Sequence, residues 1–115
     1  MFLTIKRVYD PPAREDGQRI LVDRLWPRGL GKEEAALDAW MKEVAPSAAL
    51  RTWFHRAADA RWEEFRNRYL DELRANPHVA ELREKIAAGP VTLLYGARDR
   101  ERNHALVLAE FLREA

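Results

Sequence analysis

Apolar residues along the chain fall into two kinds of run, short β-prone segments and longer segments with helical spacing. The first β-prone segment, 3–9, ends where Pro11 and Pro12 prevent further strand pairing. The second, 19–24, and the third, 91–95, have continuous apolar centres that suit strands covered on both faces. The pattern therefore predicts three strands.

Five other segments carry apolar residues at spacings of three and four, which predicts amphipathic helices. Ser47 and Asp59 precede two of these helices and are the side chains expected to cap them. The aromatic residues recur at the same spacing, so we expect them to pack in the core or between helices. The predicted helices run from Glu33 to the residue before Pro46, over 48–55, from Asp59 to Asn76, from Val79 to Gly89, and from near Asn103 to the C-terminus.

The order of strands and helices predicts an α/β fold, a small layered domain with a mainly parallel central sheet of three or four strands flanked by helices. With 115 residues the chain has the usual size of one domain, and we expect residues 1–115 to form it. One connection leaves alternatives open. Because only about nine residues separate the first two strands, the first strand either pairs antiparallel or reaches the second through one helical turn.

Charge and composition restrict the kinds of ligand. The formal net charge of +1 provides no overall field toward DNA or an anionic membrane, so any anion site must be local. Arginine outnumbers lysine roughly fourfold, and its guanidinium pairs well with phosphate and carboxylate, although a GC-rich genome produces the same bias. The absence of cysteine excludes a thiol nucleophile and sulfur-ligated zinc, and the three histidines lack metal-binding spacing. We predict no metal site, and the sequence leaves the question of a cofactor open.

The distribution of apolar residues also bears on export and on membrane insertion. Residues 1–7 lack the long apolar stretch of a signal peptide, and no window is apolar enough to span a membrane. We therefore expect a cytoplasmic protein without a membrane partner.

Charged and aromatic residues are concentrated in two predicted loops, one after the second strand and one after the third. Because the carboxyl ends of parallel strands share an edge, where ligands of open α/β sheets collect, these loops are expected to form one cleft. The free amides of the last helix would add positive potential to this cleft. The candidate residues are Asp23, Arg24, Trp26 and Arg28 in the first loop and Arg98, Asp99, Asn103 and His104 in the second.

The types of these residues suit a phosphate or carboxylate ligand. Arg28 and Arg98 are expected to grip the anion, with the other arginine, the tryptophan and the asparagine as further ligand-binding candidates. Asp23 and Asp99 would position a cation, a ribose hydroxyl or a water, and they are candidate catalytic groups if burial shifts their pKa. His104 is the third catalytic candidate, as a proton carrier at the start of a helix.

The same residues also have a purely structural interpretation. Asp23 would cap a loop, the arginines would pair with the aspartates of their own loops, and Trp26 with Pro27 would form a hydrophobic plug. The residue types alone do not choose between the two interpretations.

Five segments resemble a known family, and the match covers nearly the whole chain. The segments are 6–10, 22–29 (VDRLWPRG), 45–54, 62–69 (WEEFRNRY) and 92–95. They resemble the YeaO-like branch of the domain-of-unknown-function 488 family. It implies a small bacterial or archaeal α/β protein with shared motifs at the second strand, its loop and the turn after the third strand, and it implies no particular reaction. A more distant branch carries a cysteine after the last strand, which 95–104 lacks.

Three functions are open at this point. The first is binding of a phosphate-bearing or other anionic small molecule at the strand-end cleft, with or without catalysis. The second is a nucleic-acid-associated module, against which the near-zero net charge counts. The third is a structural or partner-binding protein, including a homodimer, in which the loop 22–29 is a packing element. The arginines that would contact nucleic acid are Arg51, Arg56, Arg61, Arg66 and Arg68.

Overall fold

Four parallel strands form a single sheet in the computed structural model, which describes residues 2–114. The strands lie in the order β1–β4–β2–β3 and every pair is parallel. The predicted α/β fold with a parallel central sheet is therefore confirmed. The strands are β1 (Leu3–Arg7), β2 (Gln18–Leu21), β3 (Ala39–Trp40) and β4 (Val91–Tyr95).

The strand β4 is the centre of the sheet, because it pairs with β1 on one side and with β2 on the other. All five of its residues are buried, which explains the continuous apolar run in the sequence. Its side chains alternate between two cores. Val91, Leu93 and Tyr95 belong to the larger core, whereas Leu94 belongs to a smaller one on the opposite face.

Five helices accompany the sheet among residues 2–114, and four of them contribute to the larger core. The smaller core is covered by α1 and by loop side chains that include Trp26, Leu30 and Leu37. None of the helices in the described part of the chain is long and apolar enough to cross a membrane. The helices are α1 (Lys32–Ala35), α2 (Ala48–His55), α3 (Ala58–Arg74), α4 (Val79–Ala88) and α5 (His104–Arg113).

The prediction of a long helix from Glu33 to the residue before Pro46 is wrong. The helix α1 ends at Ala35, because Ala36 adopts a left-handed conformation with a φ of 50°. The chain then lies beside β2, where the N–H of Asp38 donates to the carbonyl of Arg19 at 2.8 Å. This pairing produces β3, the fourth strand. Local apolar spacing did not reveal it, since two residues of edge strand carry too little pattern.

The first connection uses one of the two predicted alternatives. The strand β1 is parallel, so antiparallel pairing is wrong, and a single 3₁₀ turn at Arg14–Asp16 lies between β1 and β2. The two strands are not neighbours, because β4 lies between them.

Of the two predicted helix N-caps, the structure confirms Ser47 but not Asp59. The Ser47 hydroxyl accepts from the N–H of Leu50 at 3.2 Å, as expected for an N-cap of α2. The prediction for Asp59 is wrong, because α3 begins one residue earlier, at Ala58, and Asp59 lies in its first turn. There its carboxylate accepts from Arg102 at 3.0 Å.

A buried polar network fixes the start of β2. The carboxylate of Asp16 accepts from the N–H of Ala13, from Lys6 and from Arg19, and the guanidinium of Arg19 also donates to the carbonyl of Ala35 at 2.8 Å. Asp16 and Arg19 are 7% and 4% exposed. Burial acts to raise the pKa of Asp16, but these hydrogen bonds outweigh it and lower the pKa below its usual value.

We expect Asp16→Asn to reduce the free energy of unfolding by about 3 kcal/mol at neutral pH, because it leaves the buried guanidinium of Arg19 without its counter-ion. A lowered folded-state pKa gives stability that is present above the unfolded-state pKa and lost as pH falls through the folded-state value. The difference between wild type and variant, measured by urea unfolding, should therefore shrink between roughly pH 5 and pH 2. The exposed Asp71→Asn is the control, and a difference that stays constant at low pH would contradict this prediction.

We expect Gly17→Ala to destabilise the fold by about 2 kcal/mol or more. Gly17 has a φ of 63°, and a Cβ there would lie 2.3 Å from the carbonyl oxygen of Pro90. The matched control is Gly89→Ala, since a Cβ at Gly89 has no atom within 4 Å. Thermal unfolding of both variants is the measurement, and equal melting temperatures would count against the close packing of Gly17 on Pro90.

Candidate functional site

Parallel pairing of β2 with β4 brings the ends of these strands to one edge of the sheet. The pairing continues beyond β2, where the N–H of Val22 donates to the carbonyl of Leu94 at 3.0 Å. One carboxylate oxygen of Asp23, Oδ2, then accepts from the N–H of Gly96 at 2.9 Å. A Cβ on Gly96 would lie 2.9 Å from that same oxygen, so a larger residue here would displace the Asp23 carboxylate from this contact. The two predicted loops are therefore joined directly.

The ring of His104 lies against the first of these loops. Its Nε2 is 3.0 Å from the carbonyl oxygen of Val22 and 3.1 Å from Oδ1 of Asp23. Because a carbonyl can only accept, Nε2 carries a hydrogen in this arrangement and donates it to Val22. Oδ1 of Asp23 is buried and has no hydrogen-bond partner among residues 2–114.

Asp99 and Asn103 build the turn that leads into α5. The Asp99 carboxylate accepts from the N–H groups of Glu101 and Arg102, and these bonds lower its pKa. Asn103 is the N-cap, since its side chain accepts from the N–H of Leu106 at 2.9 Å and donates to the carbonyl of Asp99. Both side chains therefore have a structural role in addition to any contact with a ligand.

A cavity of about 360 Å³ opens at this edge of the sheet. Its volume lies in the usual range for small-molecule sites. Its walls come from the two loops, from the segment before α2, and from α2, α3 and α5. Six of the eight candidate residues line it, namely Asp23, Arg24, Arg98, Asp99, Asn103 and His104.

Trp26 and Arg28 lie outside this cavity. The indole of Trp26 donates to the carbonyl of Leu30 at 2.7 Å and packs against the smaller core, as the hydrophobic-plug interpretation predicts. The side chain of Arg28 is exposed, and its carbonyl accepts from the hydroxyl of Tyr9. The structure therefore does not bring Arg28 and Arg98 together at one cavity.

The arginines of the two loops do not pair with the aspartates of their own loops. Nε of Arg24 donates to the carbonyl of Pro46 at 3.2 Å. Arg98 forms no ion pair with a described residue. That part of the structural interpretation is wrong.

Two polar residues of α2 line the cavity although sequence reasoning did not assign them to it, namely Arg51, which it considered only for nucleic-acid contact, and His55. Nε of Arg51 is buried without a hydrogen-bond partner among the described residues. The pKa of His55 is lowered by partial burial of the ring and by its electrostatic interactions with Arg51 and with the ring of His104. The available signal was their spacing of four, which places them on one face of α2.

The cavity is locally basic although the chain is nearly neutral. Four arginines line it, against two aspartates. Arg102 is paired with Asp59 outside the cavity, which leaves the remaining arginines as the main source of positive potential. The lining arginines are Arg24, Arg51, Arg98 and Arg102.

Most of the arginines considered for nucleic-acid contact are engaged with other side chains. Arg61 and Arg68 lie over the ring of Trp53 at 4.7 and 4.4 Å, and Arg66 pairs with Glu110. These contacts do not favour a basic face that is free to follow a phosphate backbone.

A second cavity, of about 480 Å³, lies near Phe2. The charged side chain at this cavity is Arg83, which donates to the carbonyls of Phe111 and Leu112. The described residues that line this cavity therefore provide no free polar side chain of the kind that orients a ligand in a small-molecule site.

The fold and the cavity define a class, small parallel α/β proteins with a basic cleft at the carboxyl edge of the sheet. The chain belongs to the domain-of-unknown-function 488 family, because the family described as the "Inactive DUF488-N3 subclade" matches residues 2–115. The resemblance inferred from the five sequence segments is thus confirmed.

Bacterial relatives extend over almost the whole chain. The "Uncharacterized protein YeaO" of Escherichia coli (strain K12) is 49% identical over 114 residues, which cover 98% of each chain. Proteins of Mycobacterium bovis and Mycobacterium tuberculosis, also with "Uncharacterized" names, are 43% identical over 108 residues, or 94% of this chain and 91% of theirs. No solved structure matches the chain.

We expect Arg51→Met to raise the free energy of unfolding of the ligand-free protein by about 1 kcal/mol. The substitution removes a buried N–H without a partner and keeps much of the apolar length of the side chain. Arg56→Met, at an exposed position outside the cavity, is the matched control and should change stability by less than about 0.5 kcal/mol. Urea unfolding measures both, and a clear loss of stability in Arg51→Met would mean that Arg51 has a stabilising partner.

Proposed function

We propose that this chain binds a phosphate-bearing or other anionic small molecule in the cleft at the carboxyl edge of its sheet. The observation that carries the proposal is Arg51, which lines the cavity and whose Nε is buried without a hydrogen-bond partner among residues 2–114. A buried guanidinium N–H without a partner is costly in the free protein, and such groups are retained where they serve a ligand.

Two further features support an anion rather than a neutral ligand. Arg98 lies at the same cavity without an ion-pair partner among the described residues, so two guanidinium groups are available to bind oxygen atoms. The first residue of α5, His104, also lines the cavity, and the amino end of a helix of ten residues adds partial positive charge.

Binding without turnover is the form of this function that we favour. The family to which the chain belongs is described as an inactive subclade. Asp99 and Asn103, two of the cavity's polar residues, already have hydrogen bonds within the turn before α5. His104 and Asp23 contact each other and are the residues that would carry out proton transfer if a reaction occurred.

Thermal unfolding in the presence of millimolar phosphate, nucleotides and carboxylate metabolites tests the proposal. A ligand at ten times its Kd stabilises the native state by about 1.4 kcal/mol, which corresponds to roughly 5 °C for a chain of this size. We expect Arg51→Ala and Arg98→Ala to abolish most of this shift, since each removes a cation from the cleft.

The matched control is Arg14→Ala. Arg14 is an exposed arginine in the turn that precedes β2, at the opposite edge of the sheet, and its substitution should leave the ligand-induced shift unchanged. The proposal would be overturned if Arg51→Ala and Arg98→Ala kept the same ligand-induced shift as Arg14→Ala. It would also be overturned if no anion shifted the melting temperature of the wild type.

A further inference from the structure

Anion binding alone leaves one feature of the cleft unexplained, the buried oxygen Oδ1 of Asp23. This oxygen has no hydrogen-bond partner among the described residues, because Nε2 of His104, although 3.1 Å away, donates its hydrogen to the carbonyl of Val22. A carboxylate beside an anion site repels the ligand unless the ligand places a donor group between them. The ligand should therefore carry a hydroxyl or amino group as well as an anionic group.

The lining of the cavity indicates a third part of the ligand. Seven of the sixteen lining residues are apolar, and they include Phe54 of α2 and Phe65 of α3. The rings of these two residues stack with centroids 4.3 Å apart. A bare inorganic anion would leave most of a 360 Å³ cavity and its apolar wall in contact with water. A ligand with a flat ring would cover that wall.

The charge of the cleft limits the size of the anionic group. Arg24 is bonded to the carbonyl of Pro46, and Arg102 is paired with Asp59. Arg51 and Arg98 are the lining arginines without such contacts in the described part of the chain. Two guanidinium groups match the double negative charge of one phosphate group, rather than that of a longer polyphosphate.

On the basis of the proposed function, we propose that the cleft takes a nucleoside monophosphate. Its phosphate binds to Arg51 and Arg98, a ribose hydroxyl donates to Oδ1 of Asp23, and the base lies against the apolar wall at Phe54. This ligand combines a dianion, a hydroxyl donor and a flat ring, which are the three properties that the cavity walls require.

Calorimetric titration of the wild-type chain with a graded series of ligands tests this inference. The series is inorganic phosphate, ribose 5-phosphate, a purine and a pyrimidine nucleoside 5′-monophosphate, and the uncharged nucleosides. We expect at least one monophosphate to bind about tenfold more tightly than ribose 5-phosphate, and ribose 5-phosphate more tightly than phosphate, because each step adds one of the required groups.

The outcomes separate this inference from the proposed function. If phosphate or ribose 5-phosphate binds as tightly as the monophosphates, the cleft binds anions but the nucleotide inference is wrong. If a nucleoside binds as tightly as its monophosphate, anion binding itself is wrong. If no member of the series binds, the nucleotide inference fails, and the other anions of the thermal unfolding experiment decide the proposed function.

Asp23→Asn tests the hydroxyl contact. Asparagine retains an oxygen for the N–H of Gly96 but removes the negative charge, so the affinity for inorganic phosphate should stay the same or rise. The affinity for the monophosphate should fall about tenfold, because the acceptor for its hydroxyl is lost. An affinity that rises for both ligands would overturn the role of Asp23. The exposed Asp71→Asn is the charge-matched control and should leave both affinities unchanged.

The 2′-deoxy and 3′-deoxy monophosphates provide the same test without a substitution in the chain. One of them should bind the wild type about tenfold less tightly than the parent compound, and that difference should disappear in Asp23→Asn. Equal binding of all three compounds by the wild type would overturn the proposed contact between Asp23 and the ribose.

Discussion

The hydrogen bond from the N–H of Gly96 to the carboxylate of Asp23 joins the two loops that form the cleft, and the arrangement of the site depends on it. It follows from the parallel register of β2 on β4, which pairs Leu21 with Leu94 and extends through Val22. Once the loops are joined, the ring of His104 meets the carbonyl of Val22, so the start of α5 is held at the same edge. One backbone register thus positions residues that are about eighty positions apart in the sequence.

The buried polar groups at the two edges of the sheet differ in how completely they are hydrogen-bonded. At the amino edge, Asp16 and Arg19 are buried but bonded to several partners, and their network fixes the first connection. At the carboxyl edge, Asp23 and Arg51 each keep one buried atom without a partner among residues 2–114. A satisfied network stabilises a fold, whereas unsatisfied groups reduce its stability and are expected where a ligand completes them. This difference is why the carboxyl edge is the candidate site.

Much of the fold could be predicted from local pattern. The strand 91–95 and the helix 48–55 have the predicted bounds, since an apolar run between breakers and a capped amphipathic segment are both local signals. The segment from Glu33 to Pro46 could not be predicted, because its conformation depends on the left-handed Ala36 and on pairing of Asp38 with Arg19, which is distant in sequence.

The sequence by itself determined the parallel α/β class, the family and the edge of the sheet at which six of the eight candidate residues meet. These follow from residue spacing, from shared motifs and from the rule that parallel strands end together. Only the tertiary structure decided that Arg28 and Trp26 lie outside the cavity and that Arg51 and His55 line it. Which residues line a cavity depends on how the helices pack against the sheet, and so does the burial of a single guanidinium nitrogen. Local sequence does not encode this packing.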